Sequence, residues 1–352
     1  MKQYIGCDAH QRYSVFVTVE ESGRAGPAVR VENDRPELRR FLGSLPAGAP
    51  VAVEASGGWY WLMDELEAAG LEPHLANPKE AQQRMRGRNK TDKLDATGLA
   101  ILLRNGTLPE VWIPDPKLRD LRGLLRTRLA MRRLTTFLKN RISAAIRRYG
   151  LREDQCSDLF AGKGRVQLSY YIGWLPEQTR HASIQEWELL DEIENHIRTL
   201  ELRIQERVGS IGHTRLLKTL PGVGQILSAT LYLEIGEVKR FPSAAHLASY
   251  AGLVPTVHAS GGKAWLGHTP PSANHYLKWA FIEAANCVVR HRKKYVLAHV
   301  IRLYERLQPP KGHAKAAVAV ARHLAEASWW MLTKQQAYRE PAPATITSSK
   351  NG

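Results

Sequence analysis

Three consecutive strand-like segments open the chain, and they constrain its fold more than any other feature. Gln3 to Asp8, Tyr13 to Glu20 (YSVFVTVE) and Pro27 to Glu32 are rich in β-branched and aromatic residues and read as a meander. Pro36 to Leu45 then reads as a helix, with Pro36 suited to an early helical position. Val51 to Ala55 (VAVEA) is a fourth strand and Leu71 to Ala76 a fifth, with a helix from Trp59 to Ala69 between them. Two helical stretches follow, the second from Thr91 to Arg104. A sheet flanked by helices is the expectation for residues 1–110.

That element order is the order of a ribonuclease-H-like (RuvC-like) domain, although other α/β folds begin the same way. Beyond it the pattern turns helical, so the fold class is α/β plus α. Lys117 to Tyr149 reads as one long helix whose apolar ladder runs through Leu118, Leu121, Leu125 and Leu129. After a shift the ladder resumes at Leu134, Leu138, Ile142 and Ile146, and Asp120 is the only acid in the stretch. A second ladder, from Ile184 through Trp187, Leu190, Ile197 and Ile204 to Val208, lies among acids. The two are expected to pair as an antiparallel coiled coil across 111–210, within the chain or between subunits. Residues 211–338 form a mostly helical third region, with helices from about Asn274 to Leu307 and from Lys315 to Gln336. In it, LLKTLPGVGQILSATLYLEIG has the pattern of a helix-hairpin-helix, in which Gly222 and Gly224 permit the turn. The N–H groups of the second helix either meet a DNA phosphate or serve packing alone. Residues 339–352 read as a disordered, Pro/Ala/Thr/Ser-rich tail.

Charge narrows the function. Fifty Lys plus Arg against 34 Asp plus Glu leave a formal +16 over 352 residues. Such a surplus attracts polyanions and favours nucleic acid as the partner. The cations of the long helix, Arg132, Arg133 and Lys139 among them, either track a phosphate backbone or are simply solvated. Cys7, Cys156 and Cys287 lie far apart, without the spacing of a zinc site or a disulfide framework. The opening MKQYIGCDAH reads as a strand rather than a signal peptide, and no run approaches the roughly 18 apolar residues of a membrane span. A cytoplasmic protein without membrane partners is expected.

Four acids are candidates for chemistry. Asp8 closes the first strand and Glu54 lies in the fourth, where adjacent central strands would bring them to one sheet edge. Asp92 and Asp95, three apart in RNKTDKLDA, share one face of a helix. Carboxylates gathered in this way repel one another unless a cation lies between them. Hard oxygen ligands suit Mg²⁺, and metal ions of this kind stabilise the attacking and leaving oxygens of a phosphodiester. Taken alone, Asp92 and Asp95 would equally suit a solvated helix face.

The blocks IGCDAH, VAVEASGGWY and NPKEAQQRMRGRNKTDKLDA resemble the three blocks of the DEDD transposases of the insertion-sequence family numbered 110. LPGVG and YAGLVPTVHASGGKAWLGH resemble the C-terminal transposase domain of the same family, while the intervening helices match only in character. The resemblance implies that Asp8, Glu54, Asp92 and Asp95 bind Mg²⁺ and that Ser260 is a nucleophile. It further implies a structured bridge RNA that pairs with donor and target DNA. Dimers would assemble into tetramers in which the acids of one subunit meet the serine of another.

Read without the resemblance, Ser260 is an unremarked serine in a loop, Ala259-Ser260-Gly261-Gly262. A hydroxyl with no neighbouring base is a poor nucleophile, and phosphate-bound metal ions would supply its activation. His258 is a weaker candidate for a base, and Lys263 either steadies a phosphate or is solvated. The family usually reads close to KAGxxxLRR after this loop. PPSANHYLKWA stands here instead, with Lys278 and Trp279 in place of the basic pair. Trp265 and Tyr276 would stack on bases or pack internally. Three readings therefore compete: an RNA-guided serine recombinase, a RuvC-like nuclease that hydrolyses DNA and leaves Ser260 idle, and a non-catalytic nucleic-acid scaffold.

Overall fold

Alternating Val, Ile, Tyr and Phe give the first strands two apolar faces, and in the computed structural model of the chain both faces are covered. The structure describes residues 2–85, 91–151, 158–260, 263–267, 272–296 and 298–341. The chain divides into two units, Met1–Pro114 and Asp115–Gly352.

The first unit runs β1 (Gln3–Ala9), β2 (Tyr13–Glu20), β3 (Ala25–Glu32), α1 (Arg35–Leu42), β4 (Pro50–Glu54), α2 (Trp59–Ala68), β5 (Glu72–Ala76), α3 (Pro78–Met85) and α4 (Asp92–Arg104). Its five-stranded sheet has the order β3-β2-β1-β4-β5. β1, β2 and β3 are antiparallel neighbours, whereas β1, β4 and β5 run parallel. Ile5, Cys7, Val51 and Val53 face α1 and α2 in one core, with Leu38, Leu62 and Leu66. Strand alternation turns Gly6, Asp8, Ala52 and Glu54 to the other face. There α4 lies across the sheet, packing Ala96 and Ala100 on Val15, Val17 and Val19, and Leu99 on Ala52.

The second unit begins with α5 (Pro116–Arg148), capped by Asp115, which accepts from the Leu118 amide at 3.0 Å. α6 (Gly164–Gly173) and α7 (Glu177–Val208) follow. α5 and α7 lie antiparallel within the chain, joined in order by Arg128–Glu201, Lys139–Glu194 and Arg141–Glu186. Leu125 and Leu129 of α5 pack with Ile204 and Val208 of α7, whereas Ile142 and Ile146 pack with Leu168, Tyr171 and Ile172 of α6 and with Trp187 of α7; Leu138, Leu190 and Ile197 are also buried. Leu134 does not join them. It is 51% exposed, while Thr135, three residues before Leu138, is buried in its stead.

Next come α8 (Gly212–Leu217), α9 (Gln225–Ile235), α10 (Ala244–Tyr250), the hairpin β6 (Val257–Ser260) and β7 (Lys263–Leu266), α11 (His275–Arg290) and α12 (His299–Lys334). Two expectations are corrected here. The helix expected from Asn274 to Leu307 breaks after Arg290, where Arg290, Arg292, Lys293 and Lys294 crowd like charges at helical spacing. The loop expected at Ser260 is the end of a strand, paired with Lys263. α12 kinks at Gly312 (φ 76°, ψ 165°), two residues after the Pro309-Pro310 pair. Most of the expected tail, residues 342–352, lies outside the described residues. The part before it is tied down: the Tyr338 amide donates to Thr219 Oγ1 at 2.9 Å and the His299 amide to Glu340 at 2.8 Å. Among the described residues no helix is long and apolar enough to cross a membrane.

Candidate functional site

Two parallel strands and one helix N-terminus assemble the acidic site. β1 and β4 pair Cys7 with Val53, so the next residues, Asp8 and Glu54, sit at the same strand ends on the α4 face. Thr91 caps α4 by accepting from the Leu94 amide, which places Asp92 and Asp95 in the first helical turn. Anionic side chains there are favoured by the positive end of the helix dipole.

Asp8, His10 and Asp92 come together: one ligand atom of each lies within 4.8 Å of the others. His10 Nε2 is 3.2 Å from Asp8 Oδ2 and 3.3 Å from Asp92 Oδ2. The Tyr13 hydroxyl donates to Asp92 Oδ2 at 3.0 Å, and this bond holds the phenol above its ordinary range. The turn bearing His10 is fixed from behind. Asn33 Nδ2 donates to the His10 carbonyl at 2.7 Å, and Asn33 Oδ1 accepts from Ser14 Oγ at 2.7 Å. Glu54, at the end of β4, and Asp95, in the first turn of α4, are not members of this group.

The donors fit a divalent cation. Two carboxylates that face one another across an imidazole attract positive charge, and Asp8, with a side chain only 17% exposed, has little water to screen it. Carboxylate oxygens suit Mg²⁺ or Mn²⁺, while an imidazole nitrogen leans towards the transition metals. Sequence reasoning does not single out His10 or Tyr13. The one available signal is the spacing of Asp8 and His10 in IGCDAH.

Ser260 belongs to the second unit. It ends β6 opposite Lys263 at the tip of a hairpin closed at its base by the Gly267 amide donating to the Thr256 carbonyl at 2.7 Å. Gly261, Gly262, Pro270 and Pro271 lie outside the described residues. Trp265 is 56% exposed, whereas the Tyr276 ring is covered by the Arg126 guanidinium at 4.6 Å.

Gly222 and Gly224 lie in the turn between α8 and α9. Gly222 has φ 76°, and a Cβ there would stand 2.2 Å from the Ala284 carbonyl of α11, so close helix packing alone demands this glycine. Its amide faces the Tyr295 hydroxyl at 3.4 Å.

The cations of α5 divide into two sets. Arg122 donates to the Leu233 and Glu234 carbonyls, and Arg126 forms a two-pronged pair with the fully buried Glu234 at 2.9 Å on each arm. Burial holds the Arg122 guanidinium below its usual range. Asn274 Nδ2 also donates to Glu234 at 2.9 Å, and Asn274 caps α11, the helix that follows the serine hairpin. Lys139 is engaged with Glu194 at 2.9 Å. Arg132 and Arg133 are exposed, with no side-chain partner among the described residues.

Comparison with known proteins matches residues 5–150 to a transposase family designated DEDD_Tnp_IS110, and residues 214–300 to the family described as Transposase IS116/IS110/IS902. The chain is 26% identical over 339 residues to the transposase for insertion sequence element IS1111A of Coxiella burnetii, covering 95% of this chain and 91% of that one. It is 25% identical over 313 residues to a probable family 20 transposase of Pseudomonas aeruginosa (87% and 90% covered). A 152-residue stretch is 33% identical to an uncharacterized 43.6 kDa protein of insertion element IS110 of Streptomyces coelicolor, over 42% of this chain and 36% of that one.

Proposed function

This chain belongs to the IS110 family of DEDD transposases, the transposases of a mobile element, and from that premise we propose that it is an RNA-guided serine recombinase. The observation that carries the catalytic part is the meeting of Asp8, His10 and Asp92 at the mouth of the β1–β4 sheet. In this reading Asp8, Glu54, Asp92 and Asp95 hold Mg²⁺, with His10 as an additional ligand. Bound there, Mg²⁺ would offset the charge on a scissile phosphate.

Ser260 Oγ attacks the phosphorus. A serine–phosphate ester forms as the bond to one deoxyribose oxygen breaks, and the serine proton ends on that released hydroxyl. A hydroxyl from the other DNA strand then attacks the same phosphorus and frees the serine. One phosphodiester is broken and one made, so the exchange needs no external energy source. The acids lie in the first unit and Ser260 in the second. Supply of the serine by another subunit of a dimer or tetramer would keep a lone subunit from cutting. A bridge RNA pairing with donor and target DNA would select the sites, since the charge surplus provides attraction without sequence readout.

The test uses labelled target DNA, with Mg²⁺ and guide RNA present, on denaturing gels. Ser260→Ala and Asp92→Asn proteins are each expected to be inactive, and their mixture to recover part of the cleavage with a covalent protein–DNA adduct. An adduct formed by the Ser260→Ala protein alone would assign the nucleophile elsewhere. Cleavage by wild type without any adduct would favour the hydrolytic nuclease, and full cleavage by Asp92→Asn would remove the acidic site from the mechanism.

A further inference from the structure

A groove beside the serine hairpin is unused by the site described above. It has a volume of about 810 Å³ and lies between the connection leading into β6, the end of β7, and α12 on either side of its kink. The size is that of a ligand pocket rather than a surface dimple. Its floor is aliphatic, formed by Leu253, Leu307 and Val318. Its rim carries Lys278, Lys311, Lys315 and Arg322, and among the described residues no acid lines it. Arg322 pairs with Glu326, one helical turn away at 2.8 Å. The kink creates the groove: Pro310 and Gly312 turn the chain so that Lys311 and Lys315 come to the rim, both exposed.

We propose that this groove binds the sugar–phosphate backbone of DNA next to the strand position that Ser260 attacks. A rim of four cations and no described acid matches phosphates, and it repels a second copy of a chain with net charge +16. The floor decides between DNA and RNA. A deoxyribose presents carbon and hydrogen at the 2′ position, which aliphatic side chains accept. A ribose 2′-hydroxyl pressed on Leu253, Leu307 or Val318 would lose its water and gain no partner.

Pro255 lines the groove two residues before β6, and the three strand steps from Val257 to Ser260 carry the serine about 10 Å further at ~3.4 Å per strand residue. That length of hairpin corresponds to about three nucleotides of B-DNA strand at ~3.4 Å each. The location relative to the cut rests on the reading of Ser260 above; the binding itself does not.

The experiment measures full-length protein against one labelled duplex, and separately against an RNA of the same length, by fluorescence anisotropy from low to moderate salt. Lys311→Glu/Lys315→Glu is expected to lower DNA affinity at least tenfold and to reduce the slope of log affinity against log salt by about two. RNA affinity should hold. Lys311→Ala/Lys315→Ala should show a smaller decrease in the same direction, and an unchanged circular dichroism melt secures the fold. Ser260→Ala should bind DNA as wild type does, which separates this proposal from the nucleophile assignment. Unchanged DNA affinity and slope in both lysine variants, or an equal loss of RNA binding, would overturn it.

Discussion

Gly6 of β1 lies directly beneath Ala96 of α4: a Cβ at Gly6 would stand 1.8 Å from the Ala96 carbonyl oxygen and 2.8 Å from the Ala100 amide nitrogen. No side chain fits at that separation, and the backbone contact sets the height of α4 above the sheet. Asp8 is two residues beyond Gly6, and Asp92 is four residues before Ala96. The same contact therefore sets the distance between the two aspartates.

Gly6→Ala is expected to lift α4 and to separate Asp8 from Asp92. The obstacle is backbone, so the destabilisation should reach the upper part of the ~1–3 kcal/mol range for overpacking or exceed it. Cys7 offers a direct readout. It is fully buried, and burial pushes its thiol far above the ordinary range, so in a Cys156→Ser/Cys287→Ser background it should resist a thiol reagent at pH 8 until the protein is denatured. Adding Gly6→Ala should speed its labelling and abolish Mg²⁺-dependent cleavage. Wild-type labelling and cleavage in that variant would show that the contact is not required.

Tyr13→Phe isolates the support given to Asp92. The hydroxyl donates to the same Oδ2 that faces His10, so its removal frees the carboxylate to rotate. Removing partners that orient a metal ligand commonly weakens metal affinity about 10–100-fold. The midpoint of a Mg²⁺ titration of cleavage should rise by a factor in that range, with full activity recovered at saturating metal. A midpoint that stays put would assign Tyr13 to the sheet alone.

The strands and long helices are legible in the sequence because alternation and helical periodicity are local. YSVFVTVE reads as a strand wherever it is placed, and it forms β2 with the expected bounds. Asp8 and Asp92 are legible as acids interrupting or capping apolar elements. The roles of His10 and Tyr13 are not, since both depend on the turn after β1 and on α4 crossing that sheet face, a relation between elements about eighty residues apart. The cations of α5 mislead for a similar reason. Composition shows a basic helix, but Arg122, Arg126, Arg128, Lys139 and Arg141 have acids or carbonyls of this chain as partners. Glu234 does carry a sequence signal of its burial, as a lone acid in the otherwise uncharged QILSATLYLEI.

Glu234→Gln tests how far that buried acid holds the second unit together. The substitution leaves Arg122 and Arg126 without their shared anion, and breaking a buried pair by removing one partner costs about 3–5 kcal/mol. The melting temperature should fall by roughly 10 °C for a unit of this size. A Glu234→Met/Arg126→Met protein should recover part of that stability, because the Arg126 charge is no longer stranded, while Arg122 keeps only its bonds to the Leu233 and residue-234 carbonyls. A Glu234→Gln melt within 1–2 °C of wild type would mean that solvent reaches the pair and screens it.

The separation of α5 cations into engaged and exposed sets sharpens the test of RNA binding. Arg132→Glu/Arg133→Glu alters two exposed residues without side-chain partners among the described residues, so the fold should hold. If this helix tracks an RNA backbone, affinity should fall and the salt slope should drop by roughly 0.7–0.9 for each phosphate no longer neutralised. Lys139→Ala serves as the contrast, because Lys139 is ion-paired with Glu194 on α7 and should affect the helix pair more than RNA. The same anisotropy titration, run with a structured RNA at several salt concentrations, reads both variants. RNA affinity and slope equal to wild type in Arg132→Glu/Arg133→Glu would leave this face of α5 as solvated charge, and RNA would have to be bound elsewhere on the chain.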